Sequence, residues 1–253
     1  MTTVSTPAPK AGETGARYGA DRLRECLAGV RAALPIVLGY IPIGLAFGVG
    51  AAEKGLGALE VGVMSLFVFA GASQFIAVNM LAAGAAAWAI ISTTFLVNLR
   101  HLLMSAALGP HVRSWPARLL IPAAFWLTDE CFAVLSTGLA TARLASPLKP
   151  AYVLSLEATA YLSWAASTVL GTALRHLVAD GRAWGIDLTL PAMFAGLLAL
   201  QLRQVPARRA AVVAAVTTLF LVRLGFGRWA TLLAALAGAV WVGMRLGDGD
   251  RSA

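Results

Sequence analysis

The chain has 253 residues, 59% hydrophobic and only 13% charged, with a mean hydropathy of +0.77. An ordinary soluble domain carries about 25% charged residues, so this composition excludes a soluble enzyme or binding module, and a disordered chain as well. The net charge of +8 comes from basic residues scattered between apolar runs, as in the cytoplasmic loops of a membrane protein, and not from a basic tract that would bind nucleic acid. Cys26 and Cys131 are too few for a disulfide framework or a cysteine-rich metal site. The fold class that follows is all-α: a polytopic integral membrane protein in a lipid bilayer.

Residues 1–30 are polar, contain Lys10, Arg17, Arg22 and Arg24, and lack an apolar core segment. They read as a retained cytoplasmic tail, not as a cleaved signal. A transmembrane domain over 31–247 follows, and 248–253 form a short C-terminal tail. The apolar runs fall at about 33–52, 60–82, 85–108, 118–140, 151–174, 188–203, 209–224 and 229–246. The last three are short for a crossing and one of them reads as tilted, paired or re-entrant, which leaves seven or eight spans. Continuous Ala/Leu-rich runs exclude alternating strands. The distribution of Lys and Arg favours both termini in the cytoplasm.

One internal echo stands out, at an offset of about 125 residues. It lays Phe69-Ala70-Gly71 on Phe194-Ala195-Gly196 and Phe95-Leu96-Val97 on Phe220-Leu221-Val222. Either it is chance in an apolar chain, or the protein is two parallel repeats of about four helices, over 33–140 and 151–246, with broken helices at the centre.

Phosphate-loop, zinc-helix, CxxC and nucleophile-elbow signatures are absent, so no enzyme, cofactor or metal site is expected. Chemistry is sought instead in polar and helix-breaking residues inside apolar runs. The first run holds Pro35, Gly39, Tyr40, Pro42, Gly44, Phe47 and Gly48. Two prolines and three glycines predict a broken helix whose free backbone groups bind a substrate's charged ends; the competing reading is close helix packing. The second run holds Phe69, Gly71, Ser73, Gln74 and Phe75. Gln74 is costly to leave unpaired in hydrocarbon, so it either bonds a neighbouring helix or lines a substrate path. Asn98, Arg100 and His101 close the third run, and Asp129-Glu130 lie at the middle of the fourth. Intramembrane acids mark ion or proton pathways when they are not structural ion pairs, and Arg100 or His101 is the expected partner. Glu157 is a weaker candidate of the same kind, and Asp187 reads as a helix cap.

Taken together these segments resemble the AzlC family, the large subunit of bacterial branched-chain amino acid exporters. The resemblance rests on Pro35 to Gly48, on Met64-Ser65 with Phe69 to Phe75, on Asn98 to His101 with Met104, on Asp129-Glu130 with Phe132-Ala133, and on Asp187 with Leu190 to Phe194 and Gly196 to Leu198. The motifs occur in the family's order and cover residues 31 to 203. The resemblance implies a two-component exporter in the bacterial inner membrane, with a small AzlD-type membrane subunit as partner and leucine, isoleucine, valine and their analogues as substrates. Tyr40, Phe47, Phe69 and Phe75 would line an apolar recess. Pro42, Gly44, Gly48, Gly71, Ser73 and Gln74 would hold the substrate's charged ends, and Asp129 or Glu130, coupled to Arg100, His101 and Asn98, would exchange a proton. A channel or exporter for another small organic solute, or a non-transporting subunit, is the alternative.

Overall fold

A computed structural model describes residues 11–177 and 205–225, with single positions between 192 and 241. Every element among the described residues is helical. They are α1 (Ala11–Glu53), α2 (Ala58–Phe67), α3 (Gly71–Ala82), α4 (Ala87–Val112), α5 (Ala117–Trp126), α6 (Asp129–Ala140), α7 (Pro150–Leu174) and α8 (Val205–Arg223). Two units divide the chain, 1–189 and 190–253. In the second, α8 packs so closely on the segment at Gly238 that an added Cβ there would sit 2.9 Å from the Ala210 carbonyl. The predicted runs at 188–203 and 229–246, and with them most of the second half of the expected repeat, lie outside the described residues.

The first unit is built on α1 and α7, which run side by side in the same direction. Gly29 faces Tyr152 and Ser155, Gly44 faces Ser167, and Gly48 faces Thr168 and Gly171. Glycines at these positions let two backbones approach without side chains between them, which is how helices pack when no hydrophobic effect drives them together. Ser155 Oγ donates to Cys26 O at 3.0 Å across the same seam. The expected break at 39–48 is therefore corrected: α1 continues through Pro35 and Pro42. Each proline withholds one N–H, but both are exposed, and the glycines beside them serve close packing against α7. Helix also reaches back to Ala11, so the polar N-terminal segment is continuous with the first span.

The breaks fall elsewhere. Residues 68–70 separate α2 from α3, and residues 127–128 separate α5 from α6, whose axes bend by 116°. The run at 85–108 is α4, which crosses Pro110 in its last turn; the run at 151–174 is α7, with Pro150 preset for a first helical turn. Leu148 N–H donates to His111 O at 2.9 Å, and Trp115 Nε1 donates to Leu148 O at 3.1 Å. These bonds place the end of α4 beside the start of α7, so α4 runs antiparallel to α7 and to α1.

That direction decides what the short helices do. The chain leaves α1 and enters α4 on the same side, so α2 and α3 go in and come back. It leaves α4 and enters α7 on the opposite side, so α5 and α6 do likewise from there. Contacts along α7 agree: Gly62 lies near Val169, Ser65 bonds Thr168, and Phe69 packs on Tyr161, tracing α2 inward. The all-helical polytopic reading stands, with the correction that the runs at 60–82 and 118–140 are re-entrant helical hairpins. Lengths repeat as well: 10, 12 and 26 residues for α2, α3 and α4 against 10, 12 and 25 for α5, α6 and α7. Two such triplets entering from opposite sides have the symmetry of an inverted repeat.

Candidate functional site

The hairpin tips meet the middle of α7. Phe69, from one tip, packs edge-on against Tyr161 with ring centroids 4.9 Å apart; Trp126, from the other, lies 5.6 Å from the same ring. Phe69 adopts φ +36°, a left-handed conformation that costs a non-glycine residue of order 1–3 kcal/mol. Packing of its buried ring on Tyr161, and the bond from Tyr161 OH to Leu66 O at 2.9 Å, hold the strained turn in place.

Tip residues of the second hairpin carry the charges. Thr128 caps α6, its Oγ1 accepting from Cys131 N–H at 3.4 Å, and Asp129 and Glu130 occupy the first turn, where the helix dipole favours negative charge. The two acids take separate partners. Arg100 Nη2 lies 3.0 Å from Asp129 Oδ2, with the side chains 28% and 18% exposed. Tyr40 OH donates to Glu130 Oε2 at 2.6 Å and lies 3.0 Å from Thr128 Oγ1. His101 is not an acid's partner: its Nδ1 lies 3.1 Å from Asn98 O on its own helix. The acids thus tie the second tip to α4 through Arg100 and to α1 through Tyr40.

The expected aromatic recess is filled by its own rings. Phe47 packs against Phe75 at 5.0 Å and stacks on Trp164 at 6.1 Å, and Tyr40 meets Trp164 edge-on at 5.3 Å. Phe69 sits apart from this group, on Tyr161. Gln74 spends both ends of its amide inside the protein, accepting from Trp164 Nε1 at 2.9 Å and donating to Ser65 Oγ at 3.0 Å; Ser65 in turn bonds Thr168 at 2.8 Å. Ser73 donates to Asn98 Oδ1 at 2.6 Å, joining α3 to α4. Gly71 lies against the Trp164 ring, where a Cβ would come within 3.0 Å. Gly44 and Gly48 face α7, and Pro42 is exposed and belongs to neither cluster.

Sequence reasoning gave no site role to Thr128, Ser65, Trp164, Thr168 or Tyr161. Thr128 was legible: a threonine followed directly by two acids is a helix-start signal, and it lies inside an apolar run otherwise free of Gly and Pro at that point. Trp164 and Thr168, four residues apart on one face of α7, give only the weak signal of polar atoms in a buried helix.

Against known proteins, the family described as AzlC protein matches residues 35–178. Inner membrane protein YgaZ of Escherichia coli K12 is 34% identical over 233 residues, 85% of this chain and 91% of that protein. The chain belongs to the AzlC family. An uncharacterized membrane protein of Archaeoglobus fulgidus is 34% identical over 140 residues, 54% of this chain and 57% of its own length. A branched-chain amino acid transport protein, AzlC of Bacillus subtilis, is 26% identical over 161 residues, 64% of this chain and 61% of its own. No solved structure matches. The AzlC-matching region holds both hairpins and α7, so the charged and aromatic clusters lie in the part of the chain that is shared.

Proposed function

We propose that this chain is the large membrane subunit of a proton-coupled branched-chain amino acid exporter, working with a small AzlD-type subunit in the bacterial cytoplasmic membrane. One observation carries the mechanism: the tip of a re-entrant hairpin bears two acids, one clamped by Arg100 at 3.0 Å, the other held by the Tyr40 hydroxyl at 2.6 Å. Discontinuous helices at membrane depth are where carriers place substrate and coupling ions, and intramembrane acids mark proton paths. Asp129, paired with a cation, anchors the tip to α4. Glu130 is the proton-exchanging group: as a carboxylate it accepts from Tyr40 and ties the tip to α1, and on taking a proton it loses that charge-assisted bond. The tip is then free to move with respect to α1, and substrate passage is coupled to the proton. With the N-terminus in the cytoplasm, the second hairpin enters from the cytoplasmic side and the first from the outside.

Efflux of radiolabelled leucine from preloaded cells lacking their own exporters tests the proposal, with this chain expressed alone and with the small membrane protein encoded beside it. Efflux that needs both proteins, is competed by valine and isoleucine, and loses its pH dependence in Glu130→Gln supports it. No efflux with both proteins inserted refutes the substrate assignment. Normal, normally pH-dependent efflux by Glu130→Gln refutes the proton role.

A further inference from the structure

A cavity of about 360 Å³ lies between α4, the second hairpin and α7. Its walls are apolar: Leu108, Leu120, Leu127, Leu135, Leu148 and Val153. Only three of its lining side chains are polar, Ser105, Arg113 and Glu157. Arg113 is exposed and Leu148 lies beside the end of α4, so this end opens at the side from which the second hairpin enters. Ser105 stands about 12 Å farther along α4 at 1.5 Å per residue, close to the half-thickness of a hydrocarbon core. Glu157, two turns into α7, is at the deep end.

Glu157 is the unexplained group. It is 1% exposed, and it makes no hydrogen bond or ion pair among the described residues; its Oε2 is fully enclosed without a donor. Arg100, a cation within α4, is already committed to Asp129. A buried carboxyl left without a partner is costly, and a structural role would have supplied one. What satisfies it is a ligand that brings its own donors, and an ammonium brings three together with the complementary charge. Around it the cavity offers aliphatic surface and little else. Its volume falls within the range of about 300–1,000 Å³ typical of small-molecule sites.

We infer that this cavity is a loading site for an aliphatic amino acid, with the α-ammonium on Glu157, the carboxylate beside it toward Ser105, and the branched side chain against Leu108, Leu120, Leu135 and Val153. The inference rests on the exporter reading for its substrate class and for the cytoplasmic side of its opening. It adds a site distinct from the Tyr40–Glu130 contact and lying beneath the same hairpin tip. A substrate seated here lies beneath the hairpin tip that Asp129 ties to α4 and Glu130 ties to α1.

The test uses the full chain in lipid nanodiscs and three probes measured by calorimetry: leucine, 3-methylbutylamine, which lacks the carboxylate, and 4-methylpentanoate, which lacks the ammonium. Leucine and the amine bind and the acid does not. Glu157→Gln weakens both at least tenfold, and Ala123→Phe, which fills the cavity without altering a charge, abolishes both while fluorescence and size-exclusion profiles remain those of the wild type. Failure of the amine to bind the wild-type chain overturns the site. So does amine binding that Glu157→Gln leaves unchanged, equal binding of the acid, or binding that tracks alkyl length whatever the head group. Leucine efflux separates this inference from its premise. Normal efflux by both variants removes the site and leaves the exporter standing; Glu157-dependent amine binding without any leucine efflux keeps the site and removes the exporter.

Discussion

The Arg100–Asp129 pair lends itself to a double-mutant cycle. Arg100→Gln and Asp129→Asn each remove one charge; asparagine keeps the aspartate's shape, and glutamine keeps a polar but shorter side chain. Breaking a buried ion pair from one side costs about 3–5 kcal/mol, because the survivor is left uncompensated. With the two side chains 28% and 18% exposed, part of that cost is screened, and about 2–3 kcal/mol is expected for each single variant. Arg100 also has a buried Nε with no hydrogen bond among the described residues, so Asp129→Asn should be the worse of the two. The double variant leaves no stranded charge and should lose no more than either single, which makes the coupling energy about 2 kcal/mol. Reversible unfolding in mixed micelles of dodecyl sulfate and a mild detergent, followed by tryptophan fluorescence, measures it. A double variant as unstable as the two singles added together would refute the claim that this pair holds the hairpin tip.

Tyr40→Phe should slow leucine efflux severalfold, and Tyr40→Phe combined with Glu130→Gln should be no slower than Glu130→Gln alone, since both act through one 2.6 Å bond; additive losses would show that they act separately. Gly48→Val should abolish the folded protein, judged by size-exclusion profile, because even a Cβ would come within 2.8 Å of Gly171 Cα, whereas Gly39→Ala, with nothing within 4 Å, should behave as wild type. Ala142 follows α6 at φ +54°, so Ala142→Gly should stabilise by about 1 kcal/mol in the same unfolding assay.

The composition made the membrane class unmistakable, and the extent of the apolar runs placed α4 and α7 to within a few residues. What the sequence concealed was direction. A run of twenty-odd apolar residues has the same pattern whether it crosses or turns back, and only the bonds from His111 and Trp115 to Leu148 reveal which way α4 points. Helix breaks were misplaced for a related reason. Pro35 and Pro42 look like breakers, yet a neighbouring helix packed on Gly44 and Gly48 keeps α1 intact, while the real break at Leu127-Thr128 has neither proline nor glycine. Site residues were more legible than their partners. Tyr40, Gln74, Arg100, Asp129 and Glu130 all stood out as polar groups in apolar runs, but nothing short of the fold shows that Tyr40 and Arg100 divide the two acids between them.

The seam between α1 and α7 has a consequence for how the chain is made. Ribosomal synthesis delivers α1 first and α7 only after about 120 further residues, so at 5–20 residues per second α1 waits roughly ten seconds for its partner. During that interval the glycine face of α1 has nothing to receive it, Gln74 lacks Trp164, and neither hairpin tip has Tyr161 to rest on. The first half of the protein therefore inserts without its interior and acquires one when a single late helix arrives. Released chains truncated before residue 150 should be substrates for membrane proteases, and those that extend past residue 177 should resist them.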